Sequence, residues 1–156
     1  MSNSNTELHN QAPSSVVTPK EKLGVTNDEF IEMGRVGGMF YAQGNVEKAR
    51  TIFEGLVALD PNSAAAQVSL GALLTKTGEN EQALIHLTRA IELDANEIAA
   101  YVNRAEVLLR LQRGEDAVAD LKVAVALDPE EKSPAANRAR AMVIGIHDAL
   151  EAKAVM

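Results

Sequence analysis

Residues 71–95 read GALLTKTGENEQALIHLTRAIELDA, and the same order of residue types recurs 34 positions earlier and 34 positions later. A gapless period of this length is typical of an array of similar structural units. The frames cover 30–63, 64–97 and 98–131. The matching columns are Gly37/Gly71/Ala105, Ala49/Ala83/Ala117, Phe53/Leu87/Leu121, Leu59/Leu93/Leu127 and Asp60/Asp94/Asp128.

Each frame predicts two antiparallel helices. In the middle frame, Leu70, Leu73 and Leu74 give one apolar face at helical spacing. Gly78 interrupts this pattern, and a second apolar face starts at Ala83. The small residues in the repeated columns indicate where the helices pack closely, because short side chains let two backbones approach.

Helix caps mark the ends of the predicted array. Thr26 and Glu29 form a capping-box pattern before the first frame. After the third frame, residues 134–153 predict an amphipathic helix that covers the last apolar surface. Residues 1–25 are rich in Ser, Asn, Thr and Pro and predict a disordered tail, so the folded domain is expected at 26–153. Further candidate caps are Asn62 or Ser63, Asn96 and Ser133.

Composition argues against several classes of function. The chain has 15 Lys and Arg against 22 Asp and Glu, and a net charge of −7 disfavours nucleic acid or an anionic membrane as partner. Cysteine is absent, and His9, His86 and His147 are not spaced as metal ligands. No nucleophile motif or phosphate-binding loop is recognisable, so we predict no catalytic residue, metal or cofactor, and no enzyme. Without a recognisable signal peptide or membrane-spanning stretch, a cytoplasmic location is expected.

The repeated columns resemble the tetratricopeptide repeat, a 34-residue helix pair with small residues at its eighth, twentieth and twenty-seventh places. The resemblance covers residues 30–131 and implies an all-α, right-handed solenoid of three helix pairs with a C-terminal capping helix at 134–153. Gln112 departs from the pattern, since it stands where the other frames have Gly44 and Gly78. The resemblance places the first helix of each pair along a concave groove. The residues it assigns to this groove and its rim are Ile31, Gly34, Gly38, Tyr41, Ala65, Val68, Ala72, Thr75, Lys76, Ala99, Val102, Glu106, Leu109 and Arg110.

The predicted groove is mostly apolar and lined by small side chains. Such a surface suits an extended or helical peptide that presents apolar side chains. The acidic surface around it would favour basic segments of a client. The predicted anchors are Tyr41, Val68, Val102 and Leu109, with Glu106 as an orienting acceptor and Lys76 and Arg110 as polar contacts at the rim.

Gly34 and Gly38 stand inside the first predicted helix, where each glycine costs roughly 1 kcal/mol relative to alanine. Three explanations are open: room for a bulky ligand side chain, close approach of another helix at a homodimer contact, or a frayed first helix. Tetratricopeptide domains that hold the acidic tails of chaperones carry Lys and Asn at the positions of Gly34 and Gly38. They carry a basic residue at the position of Ala99. That ligand class is therefore not expected.

Three stretches are similar to a narrower family: YAQG at 41–44, LGA at 70–72 and AEVLL at 105–109. With the size and acidity of the chain, they resemble class II chaperones of bacterial type III secretion. This resemblance implies a cytoplasmic, non-enzymatic chaperone that holds hydrophobic translocator proteins in its groove until export. It also implies a homodimer formed through the segment before and within the first frame. The alternative is a generic scaffold or adaptor that links proteins in a larger assembly.

Overall fold

A computed structural model describes residues 16–154, and these residues form eight helices and no strand. The predicted all-α fold of three helix pairs and a closing helix is confirmed. The pairs are α2–α3, α4–α5 and α6–α7, and α8 closes the array. The bounds are α1 Pro19–Lys22, α2 Asn27–Ala42, α3 Val46–Leu59, α4 Ala64–Thr77, α5 Asn80–Leu93, α6 Ile98–Arg110, α7 Gly114–Ala126 and α8 Pro134–Ala154.

The helix pairs pack where the sequence repeats its small residues. A Cβ at Gly71 would lie 2.7 Å from Cγ and Cδ2 of Leu87, closer than real atoms approach. A Cβ at Gly37 would lie 2.5 Å from Cε1 of Phe53. The small residue in these columns therefore makes room for the large apolar residue of the partner helix.

Each pair stacks on the next one along the array. Helix α4 packs against α3 and α2, α6 packs against α5 and α4, and α8 packs against α7 and α6. Leu84 contacts both of the apolar clusters that form the core and so joins the middle pair to the last. Met142 and Val143 place the apolar side of α8 on the second cluster, as predicted for a closing helix. No helix within residues 16–154 combines the length and the apolar character that crossing a membrane requires.

The helix starts follow the predicted caps with one exception. Thr26 and Glu29 form the predicted capping box at the start of α2. The Ser63 hydroxyl accepts a hydrogen bond from a backbone amide in the first turn of α4, and Ser133 does the same for α8. Helix α6 begins without a side-chain cap, so the prediction for Asn96 is wrong.

The turns inside the pairs need a left-handed backbone. Gly44 and Gly78 have φ angles of 76° and 80°, which glycine adopts without steric cost. Gln112 takes the same place in the third pair with a φ of 59°. A side chain with a Cβ pays roughly 1–2 kcal/mol for this conformation, so the third turn is strained.

A short helix lies inside the segment that the sequence predicts to be disordered. Thr18 caps α1 in a capping box with Glu21. Lys20 Nζ lies 3.4 Å from the Asp60 carboxylate and 4.9 Å from the ring centroid of Phe30, which ties α1 to the first pair. The prediction of disorder is therefore wrong for residues 18–25. Residues 1–15, with the remainder of the predicted tail and His9, lie outside the described part of the chain.

Candidate functional site

The fourteen residues predicted to line a groove lie on α2, α4 and α6, the first helices of the three pairs. Twelve of the fourteen predicted residues have accessible surface, and two do not. The exposed residues are Ile31, Ala65, Lys76 and Arg110, and the partly exposed residues are Gly34, Gly38, Tyr41, Val68, Ala72, Ala99, Glu106 and Leu109.

The two buried residues, Thr75 and Val102, offer no surface to a ligand. Thr75 is 3% exposed and its hydroxyl donates a 2.8 Å hydrogen bond to the Gly71 carbonyl of its own helix. Val102 is 0% exposed and belongs to the core cluster that α8 completes. This burial contradicts the predicted role of Val102 as an anchor, because the chain itself fills the space around the side chain. The predicted anchors that have accessible surface are Tyr41, Val68 and Leu109.

Polar side chains from three helices converge in the groove. Lys76 Nζ of α4 lies 4.6 Å from the ring centroid of Tyr41 on α2, within cation–π range. On α6, Arg110 Nη2 donates a 2.6 Å hydrogen bond to Glu106 Oε1. The second guanidinium nitrogen of Arg110 donates to the carbonyl oxygen of Thr75, which holds the end of α4 to α6. We call Tyr41, Lys76, Glu106 and Arg110 the polar cluster.

Tyr41 contributes both an aromatic ring and a hydroxyl group to this cluster. Its ring packs on Phe53, with 6.5 Å between the ring centroids, while its hydroxyl makes no hydrogen bond to any described residue. Burial raises the pKa of the Tyr41 hydroxyl, the nearby Glu106 carboxylate raises it further, and the Arg138 guanidinium opposes the rise. The hydroxyl therefore stays protonated at neutral pH and is free to donate to or accept from a ligand.

Sequence reasoning missed the contribution of α8 to this surface. Arg138 Nη2 donates a 2.6 Å hydrogen bond to Asn103 Oδ1 on α6. Asn103, Glu106 and Arg110 stand at i, i+3 and i+7, so they share one face of that helix. This spacing was visible in the sequence, whereas the position of Arg138 depends on how α8 packs.

Gly34 and Gly38 leave open space beside Tyr41. A Cβ at Gly38 would meet nothing within 4 Å, and one at Gly34 would meet only Leu56 Cδ1 at 3.7 Å, an ordinary contact. Both glycines lie inside the continuous helix α2, so the explanation by a frayed helix is wrong. Gly34, Gly38 and Tyr41 stand at i, i+4 and i+7 and share one helix face. Room for a ligand side chain and close approach of another helix are the explanations left.

The described part of the chain leaves the first half of the groove uncovered. Helix α8 packs against α6 and α7, and within residues 16–154 its backbone does not approach α2 or α4. In the same residues no group of His, Asp and Glu side chains is arranged to hold a metal ion. The predicted groove residues thus combine accessible apolar surface, open space at two glycines and a polar cluster.

Known proteins share this fold and part of this sequence. The tetratricopeptide repeat family model matches residues 40–100. PcrH of Pseudomonas aeruginosa, solved in complex with the chaperone binding region of PopB, is 30% identical with a TM-score of 0.68, over 76% of this chain and 98% of that chain. A type III secretion complex from Aeromonas hydrophila is 25% identical with a TM-score of 0.76, over 86% of this chain and 91% of that chain.

The translocator chaperone SycD of type III secretion in Yersinia enterocolitica has the same fold. It is 21% identical with a TM-score of 0.72, over 82% of this chain and 97% of that chain, a likeness that concerns the fold alone. No curated protein sequence matches the chain.

Proposed function

Because the chain belongs to the tetratricopeptide repeat family that includes PcrH, we propose that it is a cytoplasmic, non-enzymatic chaperone for a hydrophobic translocator-like client. The observation that carries the proposal is the PcrH complex. A protein 30% identical to this chain, matched over 98% of its length, has been solved with the chaperone binding region of PopB. The accessible groove on α2, α4 and α6 supports the same role.

The groove would act by taking apolar client side chains out of water. Tyr41, Val68 and Leu109 supply partly exposed apolar surface on three successive first helices, so an extended segment meets them in turn. Gly34 and Gly38 leave room for one larger client side chain. Burial of these side chains removes the surface through which the free client self-associates. The net charge of −7 keeps the complex in solution by repulsion between copies.

A homodimer through the first pair is part of the proposal. Met33, Val36 and Ile52 line an apolar depression at the outer end of the array, with Asp28, Glu29 and Glu32 at its edge. Leu23, in the segment just before α2, is 71% exposed. We expect Val36→Asp to shift the chain toward the monomer in sedimentation velocity, since it places a charge on the apolar contact. An unchanged sedimentation coefficient would exclude this face as the dimer contact.

Co-expression distinguishes a chaperone from a scaffold. The protein that co-purifies with the chain from its native host is identified and then expressed alone and together with the chain. A chaperone client is insoluble or membrane-active alone and becomes soluble with the chain, whereas a scaffold partner is folded and soluble by itself. The second result would replace the chaperone proposal by the scaffold alternative.

Gly38→Leu tests whether the groove is the site of this activity. The leucine fills the open space on α2 and should abolish solubilisation of the client. Gly55→Leu is the matched control, because a Cβ at Gly55 of α3 also meets nothing within 4 Å and lies on a second helix of a pair. The proposal fails if Gly38→Leu solubilises the client as well as the unmodified chain does. Purified chain should also show no turnover of any substrate, and cell fractionation should recover it with cytoplasmic proteins.

A further inference from the structure

We propose that the groove recognises an internal Asp or Glu of its client, beside the apolar anchors, through three cations: Lys76, Arg110 and Arg138. This inference rests on the proposed function and names a second requirement of the same site. We call these three residues the cation cluster.

The cation cluster draws on α4, α6 and α8, of which α6 packs against both of the others. Lys76 of α4 lies over the Tyr41 ring at 4.6 Å. Arg110 of α6 is held to the end of α4 by its bond to the carbonyl oxygen of Thr75, the neighbour of Lys76. Arg138 of α8 bonds to Asn103, which lies one turn from Glu106 on the same face of α6. The positive charges therefore flank one surface although they are distant in sequence.

Lys76 and Arg138 have no carboxylate partner in the described part of the chain. Glu106 is the acid in contact with the cluster, and it pairs with Arg110 at 2.6 Å. All other arginines in residues 16–154 form an ion pair, which shows how readily this acidic chain neutralises a guanidinium. Those pairs are Arg35–Glu32, Arg50–Glu79, Arg89–Glu92, Arg104–Asp120, Arg113–Asp116 and Arg140–Asp128.

Charge complementarity indicates which kind of client segment binds in the groove. In the groove, the three cations outnumber Glu106, so this surface is positively charged although the net charge of the chain is −7. An acidic client segment is repelled by the outer surface and attracted at the groove, so the field favours one docking position. The sequence-based expectation of basic client segments applies to the outer surface, and the groove has the opposite sign. The three cations stand at other positions than Gly34, Gly38 and Ala99. The proposed site therefore differs from the one that holds acidic chaperone tails in other tetratricopeptide domains.

The test uses a library of synthetic dodecapeptides, acetylated and amidated so that no terminal charge contributes. One central position is Asp, Asn or Lys, and the other positions are drawn from Leu, Ile, Val, Ala, Ser and Pro. Peptides bound by the full chain at low salt are counted by mass spectrometry. We expect Asp to be enriched about two- to fivefold over Asn, the range of a solvent-accessible ion pair, and Lys to be depleted. The enrichment should shrink as salt is added.

Two variants assign the preference to the cation cluster. Lys76→Gln combined with Arg138→Gln should bind the Asp and Asn peptides equally, while the glutamine at 138 keeps an amide donor for Asn103. Lys122→Gln is the matched control, since it removes one positive charge from an exposed position on α7. Circular dichroism checks that both variants keep the helical content of the parent.

The outcomes separate this inference from the function on which it rests. Selection of apolar peptides with no preference for Asp, or with a preference that the double variant retains, overturns the inference and leaves the peptide-binding groove intact. Failure to select any peptide overturns the groove and the inference together. Asp enrichment that the double variant loses and Lys122→Gln retains supports both.

Discussion

Replacing Gly71 by alanine tests whether the small columns hold the helix pairs together. The added methyl group would lie 2.7 Å from Cγ and Cδ2 of Leu87 and 3.5 Å from its backbone nitrogen. Leu87 is 0% exposed, so the close-packed core around it restricts how far its side chain can move. Overpacking of this kind costs about 1–3 kcal/mol, while alanine gains about 1 kcal/mol in helix propensity. We expect the free energy of unfolding to fall by about 1 kcal/mol.

Gly38→Ala is the matched control, because it makes the same substitution inside α2 where the new methyl group meets nothing within 4 Å. Only the propensity gain applies there, so the free energy of unfolding should rise by about 1 kcal/mol. The two alanine variants should therefore differ by about 2 kcal/mol with opposite signs.

Urea unfolding followed by far-ultraviolet circular dichroism measures both variants against the parent chain. At this chain length, 1 kcal/mol corresponds to a shift of about 2–4 °C in Tm, which provides an independent check. If Gly71→Ala stabilises the chain as much as Gly38→Ala does, then close packing against Leu87 does not limit the size of the residue at position 71. That result would contradict the proposed role of the small residues.

Three further substitutions test other features of the fold by the same urea titration. Gln112→Gly should raise the free energy of unfolding by about 0.5–1 kcal/mol, because glycine adopts the φ of 59° without strain. A lower free energy of unfolding would refute the inference that this turn is strained. Asp120→Asn should lower it by about 1.5–3 kcal/mol, because Arg104 donates to both carboxylate oxygens at 2.7 and 2.8 Å; no change would show that the pair is dispensable. Burial lowers the pKa of His86, which bonds to Gln67 at 2.8 Å, so the unfolded chain takes up the proton more readily. Stability should then fall as the pH drops through the ordinary histidine range of about 6.5, and His86→Gln should flatten that part of the profile.

Most of the fold was predictable because the same pattern of residue types occurs three times in the sequence. A single Gly or Ala column is weak evidence, but Gly37, Gly71 and Ala105 repeat at one spacing and fix the helix pairs and their packing. The N-terminal helix α1 was missed since it occurs once and is too short to show a period. Its signal was local: Thr18 with Glu21 forms the same capping pattern that marks α2.

For the candidate site, the sequence predicted the positions within each repeat but not the exposure of the individual side chains. Val68 and Val102 occupy the same column, yet Val68 is partly exposed and Val102 is 0% exposed. The column gives the direction of a side chain relative to its own helix, and the exposure depends on which helix packs over it. Arg138 was missed for the same reason, since its place beside Asn103 follows from the packing of α8 on α6.

Site-specific photo-crosslinking tests most directly whether a client segment lies against the inner wall of the array. A photoreactive amino acid replaces Val68, which is partly exposed on α4, or Val123, which is 39% exposed on α7. Irradiation in the native host should link the chain to one hydrophobic secreted protein from position 68 and not from position 123. Equal crosslinking from both positions, or crosslinking from position 123 alone, would contradict the account.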